Sequence, residues 1–285
     1  RQKMSNLTPQ EAKQITEEAY LFAYSMLENY KTMYVQAINE NNPAYRAPFN
    51  QVSHMRQLLT HEFTAVVGPN NDTLYSLAWL DLGTEPQVLS LPDIADDRYY
   101  VFQICDMYTF NIEYIGARTT GYKAAKYLFA GPGWDGSTPE GIDGVRRTEG
   151  RFLFLLGRTA VSGVEDVPAV NALQDQYSLM PLSTYLGQTA PEPVPAPDFP
   201  PYDPEKADSI EFISYFNLLM GQMEPGPDER PLLEKWAQIG VDCGVDGLIA
   251  VNNRAGGHAG SLSAEQLHQG LARIEVQRVP IRREL

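Results

Sequence analysis

The sequence predicts an α+β protein in which a central antiparallel β-sandwich or barrel lies between an N-terminal helix and C-terminal helices. Two observations carry this prediction. Residues 63–158 contain short runs of aromatic and β-branched residues separated by Gly and Pro clusters, which is typical of antiparallel sheets. The flanking segments repeat apolar residues every three or four positions, the period of an amphipathic helix.

The first predicted helix begins at a capping box. Thr8-Pro9-Gln10-Glu11 combines a capping threonine, a proline at the first helical position and a glutamate three residues after the threonine. An apolar stripe at helical spacing follows, and its members are Ile15, Ala19, Phe22, Ala23, Met26, Tyr30 and Met33. We expect the helix to end before Asn41-Asn42-Pro43, because the residue before a proline disfavours helical backbone.

Five runs of the central region are predicted strands. They are Thr73–Leu82, Arg98–Cys105, Phe110–Ile115, Ala125–Ala130 and Phe152–Leu156. Turn-forming clusters such as Gly131-Pro132-Gly133 separate them, and no helical period lies between them. This arrangement favours an antiparallel sheet over alternating βαβ units.

Helical patterns return after about Val164. A short helix is predicted near Val170–Tyr177, a longer one starting at Asp203-Pro204-Glu205, another near Leu232–Ile239, and a last one at the capping box that begins with Ser263. The proline-dense stretch before the second of these predicts an extended connector. The chain therefore divides into an N-terminal helical segment (1–62), a β-sandwich core (63–187), a connector (188–204) and a C-terminal helical segment (205–285).

Composition excludes several classes of function. The chain of 285 residues is 43% hydrophobic and carries a net charge of −14, so it can form a core and would repel nucleic acid. No apolar run reaches about 18 residues, so no transmembrane segment is predicted. The first residues carry no secretory signal, although one removed before Arg1 is compatible with the sequence.

The sequence predicts neither a cofactor nor a metal site. His54 and His61 are seven residues apart, too far along a helix to share one zinc ion, although a divalent metal is not excluded. Cys105 and Cys243 are expected to be buried free thiols, and a disulfide between them is the alternative.

The first candidate site is the turn and strand that begin at Asn70. Asn71, Asp72, Thr73 and Tyr75 place an amide, a carboxylate, a hydroxyl and a phenol at the mouth of a strand, where ligands often bind. Thr73 and Tyr75 leave the same face of that strand, because side chains alternate between the two faces. The alternative is a purely structural turn, since Asn and Asp bond their own backbone.

Further candidates follow four other predicted strands. Asp106 and Tyr108 come after an apolar strand, where an unpaired carboxylate would be costly to bury. Arg118 offers a donor fork for a carboxylate on the protein or on a ligand. The remaining candidates are Thr119 and Thr120 in the same turn, Trp134 in a Gly-rich turn, and Arg158 at the end of a strand. A salt bridge of Arg118 with Asp106 or Asp72 is the structural alternative.

Four stretches carry a family resemblance. "NNDTLYSLAWLDLGTEPQVLSLPD", "RYYVFQICDMYTFNIEYIGARTTG", "AGPGW" and "LQDQYSLMPLS" resemble the bacterial domain-of-unknown-function 1254 family, and the resemblance runs from about Ala19 to Tyr185. It implies a jelly-roll-like sandwich with flanking helices and export with a cleavable signal. In that family a domain of unknown function 1214 usually follows, so we expect the native polypeptide to continue or a partner to supply the missing surface.

Two functions are expected from these residues. The first is an enzyme of hydrolase or lyase type acting on a small polar or anionic organic molecule. In it Asp72 or Asp106 is the base, Tyr75 or Tyr108 is the acid or the oxyanion donor, and Arg118 holds the anionic group. The second is a non-catalytic periplasmic or extracellular module that binds the same ligand or assembles into a homo-oligomer. A cytoplasmic location is not excluded by the sequence.

Overall fold

The computed structural model describes residues 8–63, 68–223, 226 and 228–242. The described chain forms two compact units. One comprises residues up to Lys31 together with residues from Asp198 onward, and the other comprises Thr32–Pro197. The boundaries drawn from composition at residues 62, 187 and 204 stay a prediction.

Regular elements occupy most of the described chain. The α-helices are α1 (Pro9–Met33), α2 (Val167–Gln174), α3 (Leu182–Leu186), α4 (Pro204–Ala207), α5 (Phe212–Met220) and α6 (Arg230–Asp242). The strands are β1 (Ser53–His54), β2 (Thr73–Asp81), β3 (Gln87–Leu91), β4 (Tyr100–Cys105), β5 (Asn111–Gly116), β6 (Ala125–Ala130), β7 (Gly144–Arg147), β8 (Phe152–Ala160) and β9 (Ser178–Pro181). None of the described helices is both long and apolar enough to cross a membrane.

Helix α1 begins at the predicted capping box. The Thr8 backbone N–H donates to Glu11 Oε2 (2.8 Å), and the Glu11 N–H donates to Thr8 Oγ1 (3.2 Å). The α-helical hydrogen bonding stops earlier than predicted, at Met33, and a π-helical turn at Tyr34–Ile38 continues the chain toward the predicted stop. The sequence period cannot distinguish these two helix types, because both keep one apolar face turned inward.

Aromatic side chains pack the unit that contains the terminal helices. Phe22 on α1 meets Phe216 on α5 and Trp236 on α6 with ring centroids 5.8 and 5.6 Å apart. Where one helix was predicted from Pro204, the structure has α4 and α5, separated by a turn at residues 208–211. The helix predicted from Ser263 lies outside the described residues, as does Cys243, whereas Cys105 is a free thiol.

The described strands form two sheets. The first has the order β1-β2-β8-β4-β5 and is antiparallel throughout. The second has the order β7-β6-β3-β9, and in it β6 and β7 are parallel, with Tyr127 opposite Gly144. The expectation of a wholly antiparallel arrangement was therefore wrong for this pair. The connection from Ala130 returns the chain to the starting end of β6, so β7 runs in the same direction.

The two sheets share one hydrophobic core. Along β4 the residues Tyr100, Phe102 and Ile104 are buried in it, and the residues between them point to the opposite face. The other strands contribute Ala78 and Leu80, Leu89 and Leu91, Ile115, Tyr127 and Phe129, and Leu153 and Leu155. The first sheet therefore has an inner face toward this core and an outer face away from it.

An ion pair joins the end of β2 to the start of β8. Arg151 Nε and Nη2 donate to the two carboxylate oxygens of Asp81 at 2.6 and 2.8 Å, and the side chains are only 10% and 16% exposed. Arg151 Nη1 also donates to the carbonyl of Pro195 (3.1 Å), in the extended proline-rich stretch. The guanidinium therefore binds the connector to the sheet as well as pairing two strands.

We expect Asp81→Asn to destabilise the fold by about 3 kcal/mol, because it leaves a nearly buried guanidinium without its counter-charge. Chemical denaturation at neutral pH measures the change in the free energy of unfolding. Glu17→Gln is the matched control, since its ion pair with Lys13 is exposed and such pairs contribute roughly 0–1 kcal/mol. Equal effects of the two substitutions would contradict this account of Asp81.

Candidate functional site

The predicted site residues are dispersed, and those in turns of the first sheet lie at both of its ends. Thr73, Tyr100 and Gly116 lie at one end of this sheet. Thr73 and Tyr100 are opposite the adjacent residues Ala160 and Thr159 of β8. Gly116 is opposite Val101, the residue after Tyr100. Asp72 and Arg118 extend from this end, about 14 Å apart if strand spacings are added. Asp106 follows β4 at the opposite end, roughly 17 Å along the strands. The structure does not bring Asp72, Asp106 and Arg118 into one pocket.

Asp106 and Tyr108 shape the turn between β4 and β5. The Asp106 carboxylate accepts the backbone N–H of Phe110 (2.9 Å), and the Asp106 N–H donates to the Phe110 carbonyl (3.1 Å). Thr109 in this turn has a positive φ of 69°. Tyr108 is buried, with its ring 6.2 Å from that of Phe110. The Asp106 carboxylate thus closes a tight turn, and the ion pair with Arg118 that was the structural alternative for Asp106 does not form.

Arg118, Thr119 and Thr120 form the turn that follows β5. Arg118 is exposed and its guanidinium stacks on the ring of Tyr99 at 5.6 Å, without a salt bridge to either Asp72 or Asp106. The hydroxyls of Thr119 and Thr120 bond the backbone of β5 at the carbonyl of Tyr114 and the N–H of Gly116. All three residues lie together, although none is near Asp106.

Trp134 lies on the second sheet. Its ring packs against buried residues of the face turned away from the shared core, with Val88 and Leu128 beneath it, and the guanidinium of Arg147 stacks on it at 4.6 Å. This position separates Trp134 from all the predicted residues of the first sheet. The interpretation of the indole as a cover over apolar side chains fits these contacts.

Tyr75 and Arg158 do come together, on the outer face of the first sheet. They are direct cross-strand partners on β2 and β8, and the Arg158 guanidinium lies 5.8 Å from the Tyr75 ring centroid. The Tyr75 hydroxyl accepts the backbone N–H of Asn70 (3.1 Å). The predicted turn at Asn70 is therefore connected to Arg158 through the phenol.

Arg158 continues into a chain of polar side chains across the same face. Its Nη1 donates to Gln103 Oε1 (2.8 Å), and Gln103 Nε2 donates to Asn111 Oδ1 (2.6 Å). The Cys105 thiol donates to the same Asn111 oxygen (3.2 Å), and burial raises the pKa of this thiol. We call Tyr75, Arg158, Gln103, Cys105 and Asn111 the Arg158 cluster.

Sequence reasoning missed Gln103 and Asn111 as members of this cluster. The signal for Gln103 was present in "YVFQIC", where side chains alternate between the two faces of the strand. Gln103 stands between the buried Phe102 and Ile104, so its side chain must point away from the core. Nothing in the sequence showed that Gln103 would face Arg158. That proximity follows from the register of β4 on β8, where Gln103 is opposite Leu156 and next to the position of Arg158.

An open pocket of about 500 Å³ lies beside the turn that leads into β2. Leu59, Phe63 and Pro69 give it an apolar lining, and Thr60, His61 and Asn71 add polar groups. Asn71 is the one predicted site residue in this lining. The neighbouring Asn70 bonds Tyr75, so the pocket and the Arg158 cluster adjoin through one short segment.

A second polar cluster lies on the inner face, behind Tyr75. His54 Nδ1 and Ser76 Oγ are 2.8 Å apart, and Gln174 Nε2 donates to the Tyr75 carbonyl (3.1 Å). The Tyr177 hydroxyl bonds Thr159 (2.8 Å), and burial raises the pKa of Tyr177 to about 12. Ser76 is 1% exposed, so it is out of reach of a substrate and joins β1 to β2 instead. Within the described residues no three His, Cys, Asp or Glu side chains come together as metal ligands.

His54 should make stability fall as the solution becomes acidic. Burial, with a smaller contribution from Arg56, lowers the pKa of His54 from 6.5 to about 4. In the unfolded chain His54 therefore takes up a proton near pH 6.5, whereas in the folded chain it does so only near pH 4. The free energy of unfolding decreases as the pH falls through that window. Replacing the imidazole by an uncharged amide in His54→Gln should flatten this part of the pH profile.

The measurement is urea denaturation at several pH values between 7 and 4 for the wild type and His54→Gln. We expect the wild type to lose on the order of 1 kcal/mol more than the variant over this range. His61→Gln is the control, because His61 is exposed. Identical pH profiles for the wild type and His54→Gln would show that His54 does not titrate in this way.

Comparisons with known proteins identify relatives without a described activity. Residues 49–181 match the family model "Protein of unknown function (DUF1254)". The crystal structure of the VPA0106 protein from Vibrio parahaemolyticus is 26% identical, with a TM-score of 0.64, and the match covers 90% of this chain. The chain spans only 55% of that protein. A putative uncharacterized protein from Burkholderia cenocepacia is 12% identical with a TM-score of 0.31, over 63% of this chain and 44% of its own. No curated protein matches the chain.

Proposed function

We propose, from the premise that residues 49–181 belong to the DUF1254 family, that this protein binds a small organic anion at Arg158 on the outer face of the first sheet. The observation that carries the proposal is the electrostatic state of this side chain. Arg158 is partly buried in the middle of the sheet, yet it forms no ion pair with a carboxylate of the described residues. Its hydrogen-bond partner, Gln103, is neutral.

Several other buried or partly buried arginines of this unit are paired with carboxylates, whereas the partly buried Arg46, like Arg158, has no ion pair among the described residues. Arg151 binds Asp81, Arg98 binds both carboxylate oxygens of Asp166 at 2.7 and 2.8 Å, and Arg146 binds Glu113. The Arg98 guanidinium holds the pKa of Asp166 down at about 2. Removing a guanidinium from water without a counter-charge is unfavourable. A ligand carboxylate or phosphate at Arg158 would supply the missing charge.

The surrounding side chains orient the guanidinium for such a ligand. Gln103 accepts from Nη1, and the Tyr75 ring packs against the group. Nε and Nη2 make no hydrogen bond to any described residue, which leaves two donors for a bidentate contact with an anion. Val101 is the direct partner of Arg158 on β4, and it lies next along the row on the same face.

The neighbouring pocket suits the rest of the ligand. Its volume of about 500 Å³ is in the range of small-molecule sites, and its apolar lining from Leu59, Phe63 and Pro69 suits a hydrocarbon portion. Thr60, His61 and Asn71 offer hydrogen bonds at its rim. The ligand we propose is therefore an organic acid that has an apolar part.

Between the two functions expected from sequence, this arrangement favours ligand binding. Of the four predicted catalytic residues, Tyr75 contacts Arg158, whereas the Asp106 carboxylate serves its own turn. Hydrolase or lyase chemistry would need a base beside the guanidinium, and Asp72 extends from the end of β2 rather than from the outer face. In the enzyme hypothesis, Tyr75 is the residue that would serve as general acid beside Arg158.

The proposed site belongs to a sandwich that we infer to be of the jelly-roll type. Support comes from the shared core of the two sheets and from the strand order β1-β2-β8-β4-β5, in which the much later strand β8 lies between β2 and β4. Export, a homo-oligomer and a following domain are further parts of the proposal that rest on the sequence alone.

We expect Arg158→Gln to weaken binding of an organic acid about 10- to 100-fold, since a charge-assisted hydrogen bond contributes roughly 1.5–3 kcal/mol. Thermal-shift screening of aliphatic and aromatic carboxylates selects the probe, and isothermal titration calorimetry gives its Kd. Arg158→Lys keeps the charge but loses the fork, so an intermediate affinity is expected.

Arg118→Gln is the matched control, because Arg118 is also a predicted ligand residue but is exposed and lies in a turn. The Kd of the Arg118→Gln variant for the selected carboxylate should stay within about twofold of the wild-type value. Binding that depends on Arg118 and is indifferent to Arg158 would refute the proposed site. Turnover of a bound acid that is lost in Tyr75→Phe would favour the enzyme instead.

A further inference from the structure

Strand β5 is an open edge of the first sheet with an apolar surface. It has one neighbour among the described strands, β4. Three apolar residues at alternate positions, Phe110, Ile112 and Tyr114, are 61%, 38% and 41% exposed. An edge strand with unpaired backbone groups and apolar side chains is a template for pairing with another copy of the chain.

The outward-facing backbone groups at the Gly116 end of this edge are nevertheless occupied. The Ala117 N–H donates to the Tyr100 carbonyl, so by the alternation of antiparallel pairs Ile115 and Glu113 bond β4 while Tyr114 and Gly116 face outward. The Tyr114 carbonyl accepts the Thr119 hydroxyl (2.6 Å). The Gly116 N–H donates to Thr120 Oγ1 (3.0 Å).

The Glu113 side chain makes further hydrogen bonds at this edge. Its Oε1 accepts the backbone N–H of Tyr114 (3.0 Å), and its Oε2 binds Arg146 on β7, an edge strand of the second sheet. At the other end of β5, the backbone groups of Phe110 bond Asp106 within the hairpin turn and so face β4 rather than the open edge. Side chains and the following turn therefore take the places that a neighbouring strand would need at the Tyr114 and Gly116 end of β5.

We propose that Glu113, Thr119 and Thr120 form an edge cap that prevents a second copy of this chain from pairing with β5. The cap explains why the turn folds back along the strand, with the N–H groups of Thr119, Thr120 and Gly121 all directed to the Gly116 carbonyl. It also gives the two threonines a role in assembly rather than in ligand binding. The apolar side chains of β5 stay exposed without exposing its hydrogen-bonding edge.

The test replaces both hydroxyls by methyl groups in Thr119→Val combined with Thr120→Val. The shape of the side chains is kept and the capping hydrogen bonds are lost. Thr119→Ser combined with Thr120→Ser is the matched control, because it retains both hydroxyls. Sedimentation velocity of each protein at the same concentrations measures self-association, and hydrogen exchange followed by NMR reports on the Tyr114 and Gly116 amides.

We expect the valine variant to shift toward larger species than the wild type and its Gly116 amide to exchange about five- to tenfold faster, while the serine variant matches the wild type. Adding Ile112→Lys to the valine variant should restore the wild-type distribution, since a charge on an edge strand opposes pairing. If the double valine variant does not fold, Thr120→Val alone tests the exchange rate of Gly116. Unchanged association and unchanged exchange, or association that Ile112→Lys does not reverse, would overturn the proposal.

Discussion

The register of β2 on β8 is the constraint on which the rest of the first sheet depends. The two strands pair along their whole length, from Thr73 opposite Ala160 to Asp81 opposite Phe152. Because side chains alternate, this register sends Ala78, Leu153 and Leu155 into the shared core and places Tyr75 and Arg158 together on the opposite face. A slip by one residue would exchange the two faces, burying a guanidinium and exposing leucines. The core therefore fixes the position of the proposed anion site.

The same antiparallel geometry separates residues that the sequence suggested as partners. The turn that precedes β2 and the turn that follows β5 lie at the same end of the sheet, whereas the turn after β4 lies at the other. A carboxylate directly after an apolar strand is equally compatible with a ligand site and with a self-contained turn. Asp106 has the second role because its carboxylate reaches the Phe110 N–H four residues later. Such local bonds depend on the conformation of the turn, which composition alone does not specify.

Elements with strong local patterns were predictable. The strand predicted at Ala125–Ala130 has the same bounds in the structure, and the capping box at Thr8 forms as expected. Short strands such as β7 and β9 were not foreseen, because four-residue strands carry weak patterns of their own, and β9 in addition pairs with β3, which is distant in sequence. Within the site, Arg158 and Tyr75 were identified as single residues. Their proximity, and the place of Gln103 between Arg158 and Asn111, required the strand order that only the fold supplies.

Gly157 stands directly before Arg158 and faces the core. A Cβ atom there would lie 2.7 Å from the Phe102 ring, so the ring occupies the space that any side chain at residue 157 would take. Evolution at this position is thereby restricted: enlarging residue 157 would have to be accompanied by a smaller residue at 102. Because Phe102 shares its strand with Gln103, such a pair of changes would also disturb the neighbour that orients Arg158. The orientation of Arg158 on the outer face is thus tied to the volume available on the inner one.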